Sequence, residues 1–185
     1  MDETMKPIVA PADPKEQCLF YLEDAIEVLG GPGKRIIDLG ACVGDFLIPA
    51  LEAGFEKGIA VECVEKNYWE LDQRLRAKGL YDKVLLFHQM IGVTRDGSYF
   101  TDIDEVFSYA PDMVDLLKID IEGSEYDAIM RAPSCHWMQR TRVMHLEKHN
   151  NPPEDAKLLA FLAHAGWVQA GKGIGVWRNT RFASN

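Results

Sequence analysis

The chain has 185 residues, which is enough for one domain with a full core but too few for two comfortable ones. Apolar residues make up 47% of it, and 29 acidic against 20 basic residues give a net charge of −9. No basic run and no apolar stretch of membrane-spanning length occurs, so we expect neither a nucleic-acid partner nor a membrane partner.

The cysteines and the N-terminus indicate a cytoplasmic protein. The four cysteines, at positions 18, 42, 63 and 135, form no C-x-x-C pair, which favours reduced thiols over a zinc ribbon or a disulfide framework. Residues 1–14 resemble neither a signal peptide nor a transit peptide. We predict a flexible leader over residues 1–14 and a single domain over residues 15–185.

Helical and strand patterns alternate along the chain, in the order that parallel sheets require. The predicted helices cover residues 14–29, 45–53, 67–77, a short segment after Thr101, 125–131 (capped by Ser124) and 152–165. The predicted strands cover residues 35–39, 58–64, 83–90, 113–119 and 142–146, followed by a hairpin that turns at residues 171–173. This order predicts an α/β fold with a doubly wound, mostly parallel sheet and an antiparallel C-terminal hairpin strand.

Polar residues collect just past the ends of the predicted strands. Ligands of doubly wound sheets bind beyond these carboxyl ends, so the residues there are the site candidates. They are Asp38 to Gly44, Glu62, Gln89, Met90, Asp120 to Glu122, and Glu147 to His149. Burying several carboxylates together is costly, so Asp120 and Glu122 are expected to line a crevice that meets water, a ligand or a cation.

The loop after the first predicted strand carries two glycines, in the stretch I-I-D-L-G-A-C-V-G. Gly40 allows a tight turn, and Gly44 lets the N-terminus of the following helix approach a ligand. Cys42 stands where a dinucleotide fingerprint has its middle glycine, which favours a nucleoside cofactor without a pyrophosphate. S-adenosylmethionine is the candidate, because its sulfonium and ammonium groups favour carboxylate neighbours. A nicotinamide-dependent dehydrogenase is the alternative.

An acidic residue ends the second predicted strand. Glu62 could accept hydrogen bonds from both hydroxyls of a ribose. Glu65, one turn later, is the rival. We favour Glu62 because it ends the apolar run of the strand.

Several stretches resemble the FkbM family of class I methyltransferases. The most specific is L-L-K-I-D-I-E-G-S-E-Y-D-A-I, and I-I-D-L-G-A-C-V-G, A-V-E-C-V-E-K-N and H-L-E-K-H follow the order of the family. The resemblance implies a seven-stranded Rossmann-like fold and methyl transfer from S-adenosylmethionine to an oxygen, often a hydroxyl of a sugar or another small molecule. It also implies a set of cofactor-binding residues, namely Asp38, Gly40, Ala41, Gly44, Glu62, Gln89 and Met90. From its position just past the fourth strand, Asp120 is expected to be a further carboxylate on the cofactor side or the acceptor side.

Methyl transfer to an alcohol needs a general base or a metal ion, because an alcohol is a poor nucleophile. The candidate catalytic residues past the fourth and fifth strands are Asp120, Glu122, Glu147 and His149. Glu147 or His149 is the preferred base. We predict no metal site, although Asp120, Glu122 and Glu147 could hold an ion. Lys118 is expected to pair with a carboxylate, and a domain that binds the cofactor without turnover is a further alternative.

Overall fold

The computed structural model describes residues 10–92, 99–132, 134–149, 152–173 and 175–182. Its helices are α1 (Pro14–Leu29), α2 (Leu47–Ala53), α3 (Glu65–Ala77), α4 (Ile103–Ser108), α5 (Glu125–Met130), α6 (His136–Gln139) and α7 (Pro152–His164). Its strands are β1 (Arg35–Leu39), β2 (Lys57–Glu62), β3 (Val84–His88), β4 (Met90–Ile91), β5 (Phe100–Thr101), β6 (Val114–Ile119), β7 (Thr141–Leu146), β8 (Trp167–Gln169) and β9 (Val176–Asn179). Most of the predicted leader, residues 1–9, lies outside the described residues.

The main sheet has seven strands in the order β3-β2-β1-β6-β7-β9-β8. The first five strands in this order run parallel to one another, while β9 runs antiparallel to both β7 and β8. This arrangement confirms the predicted fold class, including the C-terminal hairpin. The strand order reverses between β1 and β6, so a crevice is expected at the carboxyl ends of these two strands.

The central strands are buried on both faces, which explains their almost continuous apolar sequence. Along β1, Ile36 packs with Leu116 of β6 in the core beneath α1, α2 and α3. Ile37 and Leu117 face the other way, into the core that contains Trp137 and Trp167. Among the described residues, no helix combines the length and the apolar character that crossing a membrane requires.

Two local predictions differ from the structure. The predicted strand 83–90 is divided into β3 and β4, because Gln89 lies between them and its N–H donates to the Glu62 carbonyl oxygen over 3.1 Å. β4 then pairs with β5 in a small separate sheet. The Ser124 side chain makes no capping hydrogen bond to α5, and the Glu125 carboxylate accepts from the N–H groups of Ile121 and Gly123, which precede the helix.

A row of polar side chains crosses the centre of the main sheet, on the face covered by α1 and α2. Asp38, Lys118 and His145 occupy paired positions on three adjacent strands and are almost completely buried. The His145 ring stacks between Tyr21, with ring centroids 4.4 Å apart, and Phe46, at 5.7 Å. The Asp38 carboxylate and the Lys118 ammonium lie 3.2 Å apart, which confirms the predicted role of Lys118 as a partner of a carboxylate.

The buried His145 is expected to destabilise the protein in acid. Burial, with the nearby Lys118 charge, lowers the pKa of His145 from its usual 6.5 to about 3. Below pH 6.5 the His145 imidazole therefore binds a proton in the unfolded chain but not in the folded protein, so the free energy of unfolding falls as the pH falls from 6.5 towards 3. Between pH 7 and pH 5 this group alone should remove roughly 2 kcal/mol. Urea unfolding at both pH values measures the loss, and it should be correspondingly smaller in His145→Phe; an equal loss in the two proteins would contradict it.

The helix that opens the described chain is tied to the C-terminal hairpin. The Asp24 carboxylate of α1 is buried and accepts hydrogen bonds from the backbone N–H of Lys172, at 2.7 Å, and of Gly173, at 2.9 Å. A Cβ atom on Gly171, whose φ is +83°, would lie 2.5 Å from an Asp24 oxygen. The bend between β8 and β9 is therefore shaped around this one carboxylate.

Candidate functional site

A crevice of about 300 Å³ opens at the carboxyl ends of β1, β2 and β6. Its lining residues are Gly40, Cys42, Val61, Glu62, Cys63, Val64, Asn67, Gln89, Met90, Ile91, Asp120, Ile121, Glu122 and Ser124. Three of these carry carboxylates, and no lysine or arginine is among the lining residues in the part of the chain that the structure describes. The crevice is therefore suited to a neutral or cationic ligand and unsuited to a polyanion.

The loop after β1 is held close to both neighbouring strands. The N–H groups of Gly40 and Ala41 donate to the Val61 carbonyl oxygen, at 2.9 and 3.0 Å. Gly40 has φ +80°, and a Cβ atom there would lie 1.7 Å from the Asp120 carbonyl oxygen. Only glycine fits this position, because the chain passes so close to the end of β6.

Cys42 and Gly44 continue the loop in left-handed backbone conformations. Cys42 has φ +47°, which is uncommon for a residue with a side chain. Gly44 has φ +87°, and a Cβ atom there would lie 2.5 Å from the Leu71 side chain. These conformations turn the N–H of Cys42 towards the end of β2, where it donates to Glu62 over 2.8 Å.

Glu62 is fixed by the backbone through both oxygens of its carboxylate. Oε2 accepts from Cys42, and Oε1 accepts from the N–H of Val64 over 2.7 Å. A carboxylate has about four lone-pair positions, so each oxygen can still accept one hydrogen bond from the crevice. Glu65 is exposed on α3 and is absent from the lining, which supports the choice of Glu62 over this rival.

Lys118 connects the buried row of polar residues to the crevice. Its ammonium group lies 3.2 Å from Asp38 and 3.2 Å from Asp120, and donates to the Gly40 carbonyl oxygen over 2.8 Å. Burial opposes its charge, but the two carboxylates outweigh burial and raise the pKa of Lys118 above its usual value. Burial raises the pKa of Asp38, and Lys118 limits this rise. Asp38 therefore depends on Lys118 for its charge balance.

A second polar group lies where the crevice meets the ends of β6 and β7. The Nε2 atom of His149 lies 3.7 Å from Asp120 Oδ1 and 3.5 Å from Glu122 Oε2. Its Nδ1 atom lies 3.0 Å from Glu125 Oε1. Burial opposes protonation of the ring, but the surrounding carboxylates, Glu125 foremost, raise the pKa of His149. Glu147 lies nearby, and burial, together with the Asp120 charge, raises its pKa.

The structure brings together some of the predicted site residues and separates others. Those that line the crevice are Gly40, Glu62, Gln89, Met90, Asp120 and Glu122. Asp38, Ala41 and Gly44 lie behind it: Asp38 and Ala41 are buried, and Gly44 faces Leu71. Glu147 and His149 lie beside the crevice rather than in its lining.

Three features of the site were missed at the sequence level. Cys63 and Val64 line the crevice, and their signal was their position directly after the strand that ends at Glu62. Asn67 lines it from the first turn of α3, and its side chain lies 3.6 Å from the Cys42 sulfur. Glu125 was not among the predicted site residues, and no periodicity reveals its contact with His149, because the two residues lie 24 positions apart in the chain.

Part of the chain matches a known protein family. The model of the methyltransferase FkbM domain family matches residues 100–168. The resemblance to the FkbM family is confirmed. The FkbM match runs from β5 into β8 and includes Asp120, Glu122 and His149, while the Gly40 loop precedes it. No curated protein sequence matches the chain.

Solved structures share the fold at low sequence identity. The FkbM methyltransferase of Methylobacillus flagellatus KT is 17% identical with a TM-score of 0.59, over 80% of this chain and 44% of that one. A candidate tRNA (m1A22) methyltransferase from Streptococcus pneumoniae is 17% identical (TM-score 0.60; 86% of this chain, 70% of that one). An S-adenosylmethionine-dependent O-methyltransferase from Thermotoga maritima is 19% identical (TM-score 0.57; 88% and 54%). This chain thus spans less than half the length of the FkbM protein, and these likenesses show the fold alone.

Proposed function

We propose that the protein is an S-adenosylmethionine-dependent methyltransferase that methylates an oxygen of a small molecule. The observation that carries the proposal is the crevice itself, in which Gly40 closes the loop after β1 and Glu62 stands at the end of β2. The match to the FkbM methyltransferase domain supports the same activity. S-adenosylmethionine, when bound, would supply an electrophilic methyl group on a cationic sulfur.

The residues of the crevice fit the parts of this cofactor. Glu62 has free lone pairs on two rigidly held oxygens, which suits the adjacent hydroxyls of a ribose. Gln89 and Met90 line the crevice beyond the end of β3, where an adenine ring could lie against them. Gly40 and Asp120 border the other side, where a carboxylate would favour the ammonium and sulfonium groups.

The same features argue against the nicotinamide-dependent alternative. A pyrophosphate is favoured by free N–H donors and a positive potential, whereas the described residues of this crevice supply the carboxylates of Glu62, Asp120 and Glu122 and no lysine or arginine. Cys42 occupies the position of the middle glycine and directs its N–H to Glu62 rather than to a ligand. The fit is therefore better for a cation than for a dinucleotide.

The acceptor side lies at the ends of β6 and β7, where the catalytic candidates cluster. An acceptor hydroxyl must lose its proton as its oxygen forms the new C–O bond and the C–S bond breaks, with the electron pair passing to sulfur. Glu147 and His149 are the candidates for this proton, because both have raised pKa values beside the crevice. The negative lining favours a neutral or cationic small acceptor over a nucleic acid.

Calorimetric titration of the purified protein tests the cofactor proposal. S-adenosylmethionine and S-adenosylhomocysteine are expected to bind saturably, and NAD not at all. Glu62→Gln should weaken both interactions by about tenfold or more, because an amide retains one acceptor oxygen and cannot serve both ribose hydroxyls as a carboxylate does. Glu65→Gln is the matched control, since it makes the same change on the exposed rival and should leave affinity unchanged.

Two outcomes would count against this function. Equal losses in the Glu62 and Glu65 variants would overturn the assignment of Glu62, and binding of NAD alone would favour a dehydrogenase. Formation of S-adenosylhomocysteine in the presence of a panel of hydroxylated small molecules then separates turnover from simple cofactor binding. Saturable binding with no turnover on any acceptor would favour the non-catalytic alternative.

A further inference from the structure

Three potential metal-binding atoms converge beside the crevice, from the ends of two strands. They are Oδ1 of Asp120 and Oε2 of Glu122, which follow β6, and Nε2 of His149, which follows β7; the three residues offer ligand atoms that all lie within 4.8 Å of one another. We call them the Asp120–Glu122–His149 cluster. It combines an imidazole with two carboxylates, so it is a mixed nitrogen and oxygen ligand set rather than a simple group of acids.

Glu125 orients the imidazole of this cluster. The Glu125 side chain is only 5% exposed, and its carboxylate accepts from the N–H groups of Ile121, at 2.9 Å, and Gly123, at 3.1 Å. It lies 3.0 Å from Nδ1 of His149, and an ionised carboxylate can only accept, so Nδ1 must carry the proton. In the neutral ring, Nε2 then presents its lone pair to Asp120 and Glu122. Carboxylates commonly orient metal-binding histidines in this way.

The spacing within the cluster suits a shared cation better than direct hydrogen bonds. Nε2 of His149 lies 3.7 Å and 3.5 Å from the two carboxylate oxygens, which is beyond good hydrogen-bond geometry. Ligands that bind one ion at about 2.0–2.2 Å lie roughly 3.0–3.6 Å from each other. An ion would therefore need each of the two histidine–carboxylate distances to contract by only a few tenths of an ångström, while all three ligand atoms already lie within 4.8 Å of one another.

The charge around the cluster also favours a cation. Asp120, Glu122, Glu125 and Glu147 bring four carboxylates to this end of the sheet, against two lysines, Lys118 and Lys148. Lys148 pairs with Asp155 of α7, at 3.4 Å. Lys118 contacts Oδ2 of Asp120, which leaves Oδ1 directed to His149. Lys118 shares its one positive charge between Asp38 and Asp120. When His149 is uncharged, the combined negative charge of Asp120 and Glu122 is therefore not fully neutralised.

We propose that the Asp120–Glu122–His149 cluster binds a divalent cation that accepts both nitrogen and oxygen ligands, such as Mn²⁺ or Zn²⁺, with Glu125 as the positioning residue for His149. Imidazole favours such ions over Mg²⁺ and Ca²⁺, while the carboxylates remain compatible with Mn²⁺. Three protein ligands leave coordination positions open on the ion. Binding itself does not depend on the proposed function, but the role of the ion rests on it: the ion would lower the pKa of an acceptor hydroxyl, and Glu147 would be left as the proton acceptor.

Direct binding of Mn²⁺ tests the proposal without any assay of activity. The full-length protein, stripped with a chelator, is titrated with Mn²⁺ while free ion is measured by electron paramagnetic resonance, and Zn²⁺ is used as a competitor. One saturable site is expected. His149→Ala should weaken it by more than tenfold, and Glu125→Gln by about 10–100-fold through loss of the fixed ring orientation.

Asp127→Asn is the matched control, because it removes one negative charge from the exposed side of α5, where Asp127 pairs with Arg131. It should change Mn²⁺ affinity by less than twofold, and circular dichroism and thermal melts establish that each variant is folded. No saturable site, or equal affinity in wild type and His149→Ala, would overturn the proposal. Titration of the same samples with S-adenosylmethionine tests the metal site and the proposed function separately. Cofactor binding without Mn²⁺ binding would overturn only the metal site. Mn²⁺ binding without cofactor binding would overturn only the proposed methyltransferase function.

Discussion

Replacing Lys118 with Met is expected to destabilise the protein by about 3–5 kcal/mol at neutral pH, because it leaves a buried charge uncompensated. Asp38 is fully buried, and the Lys118 ammonium is the cation that lies within 3.2 Å of its carboxylate. Methionine fills a similar volume without the charge. Urea unfolding of the variant and the wild type at pH 7 gives the difference directly.

The loss in Lys118→Met should depend on pH in a defined direction. Burial already raises the pKa of Asp38, and removing Lys118 removes the interaction that limits this rise. The folded variant then holds a proton on Asp38 that the unfolded chain releases above about pH 4, so its stability falls as the pH rises. The difference between the free energies of unfolding of the wild type and Lys118→Met is therefore expected to be smaller at pH 5 than at pH 8.

The double variant Asp38→Asn/Lys118→Met provides the control. It removes both charges, and removal of a complete buried ion pair is often close to neutral. We expect it to recover at least half of the stability lost in Lys118→Met. A single variant that loses less than about 1 kcal/mol, or a deficit that grows as the pH is lowered, would show that Asp38 is not held as a buried carboxylate by Lys118.

Gly40→Ala is the second substitution with a large expected effect, on both stability and cofactor binding. The new methyl group would lie 1.7 Å from the Asp120 carbonyl oxygen, so the loop after β1 or the end of β6 must move. An alanine at φ +80° adds backbone strain of about 1 kcal/mol or more. We expect a total loss above roughly 3 kcal/mol and a loss of S-adenosylmethionine binding, measured by thermal melts and calorimetry.

Gly30→Ala is the matched control for this effect. Gly30 has φ +81°, almost the same conformation, but a Cβ atom there would meet nothing within 4 Å. It should therefore show the backbone strain alone and leave cofactor affinity unchanged. If the two alanine variants lose equal stability and both bind the cofactor normally, the close approach of Gly40 to β6 is not important for the crevice.

The sheet could be predicted from sequence because its central strands are short apolar runs that end in polar residues. Glu62 ends β2 and Asp120 directly follows β6, and the rule that ligands bind beyond the carboxyl ends of strands selects these two residues, both of which line the crevice. Glu62 was preferred to Glu65 because it ends the apolar run of the strand, and Glu62 is the one of these two residues that lines the crevice.

Contacts between distant strands could not be predicted in the same way. Lys118 was expected to find a carboxylate, but its simultaneous contact with Asp38 and Asp120 depends on the register of β1 against β6. Asp38 was expected among the cofactor residues, yet it is enclosed behind the loop, where any effect on a ligand would pass through Lys118. The predicted alternative metal ligand Glu147 is replaced by His149 in the cluster, because the chain beyond β7 turns its imidazole towards Asp120.

The contact between Asp24 and the hairpin of β8 and β9 has a consequence for how the protein is made. α1 leaves the ribosome first among the described elements, while its partners Lys172 and Gly173 are nearly 150 residues further along the chain. Until those residues emerge, the Asp24 carboxylate lacks the amides that cap it, and the face of the sheet beneath α1 is incomplete at β9. Closure of the domain is therefore a long-range event that must await synthesis of β8 and β9, and such late closure slows folding and lengthens the time during which apolar surface is open to chaperones and to aggregation.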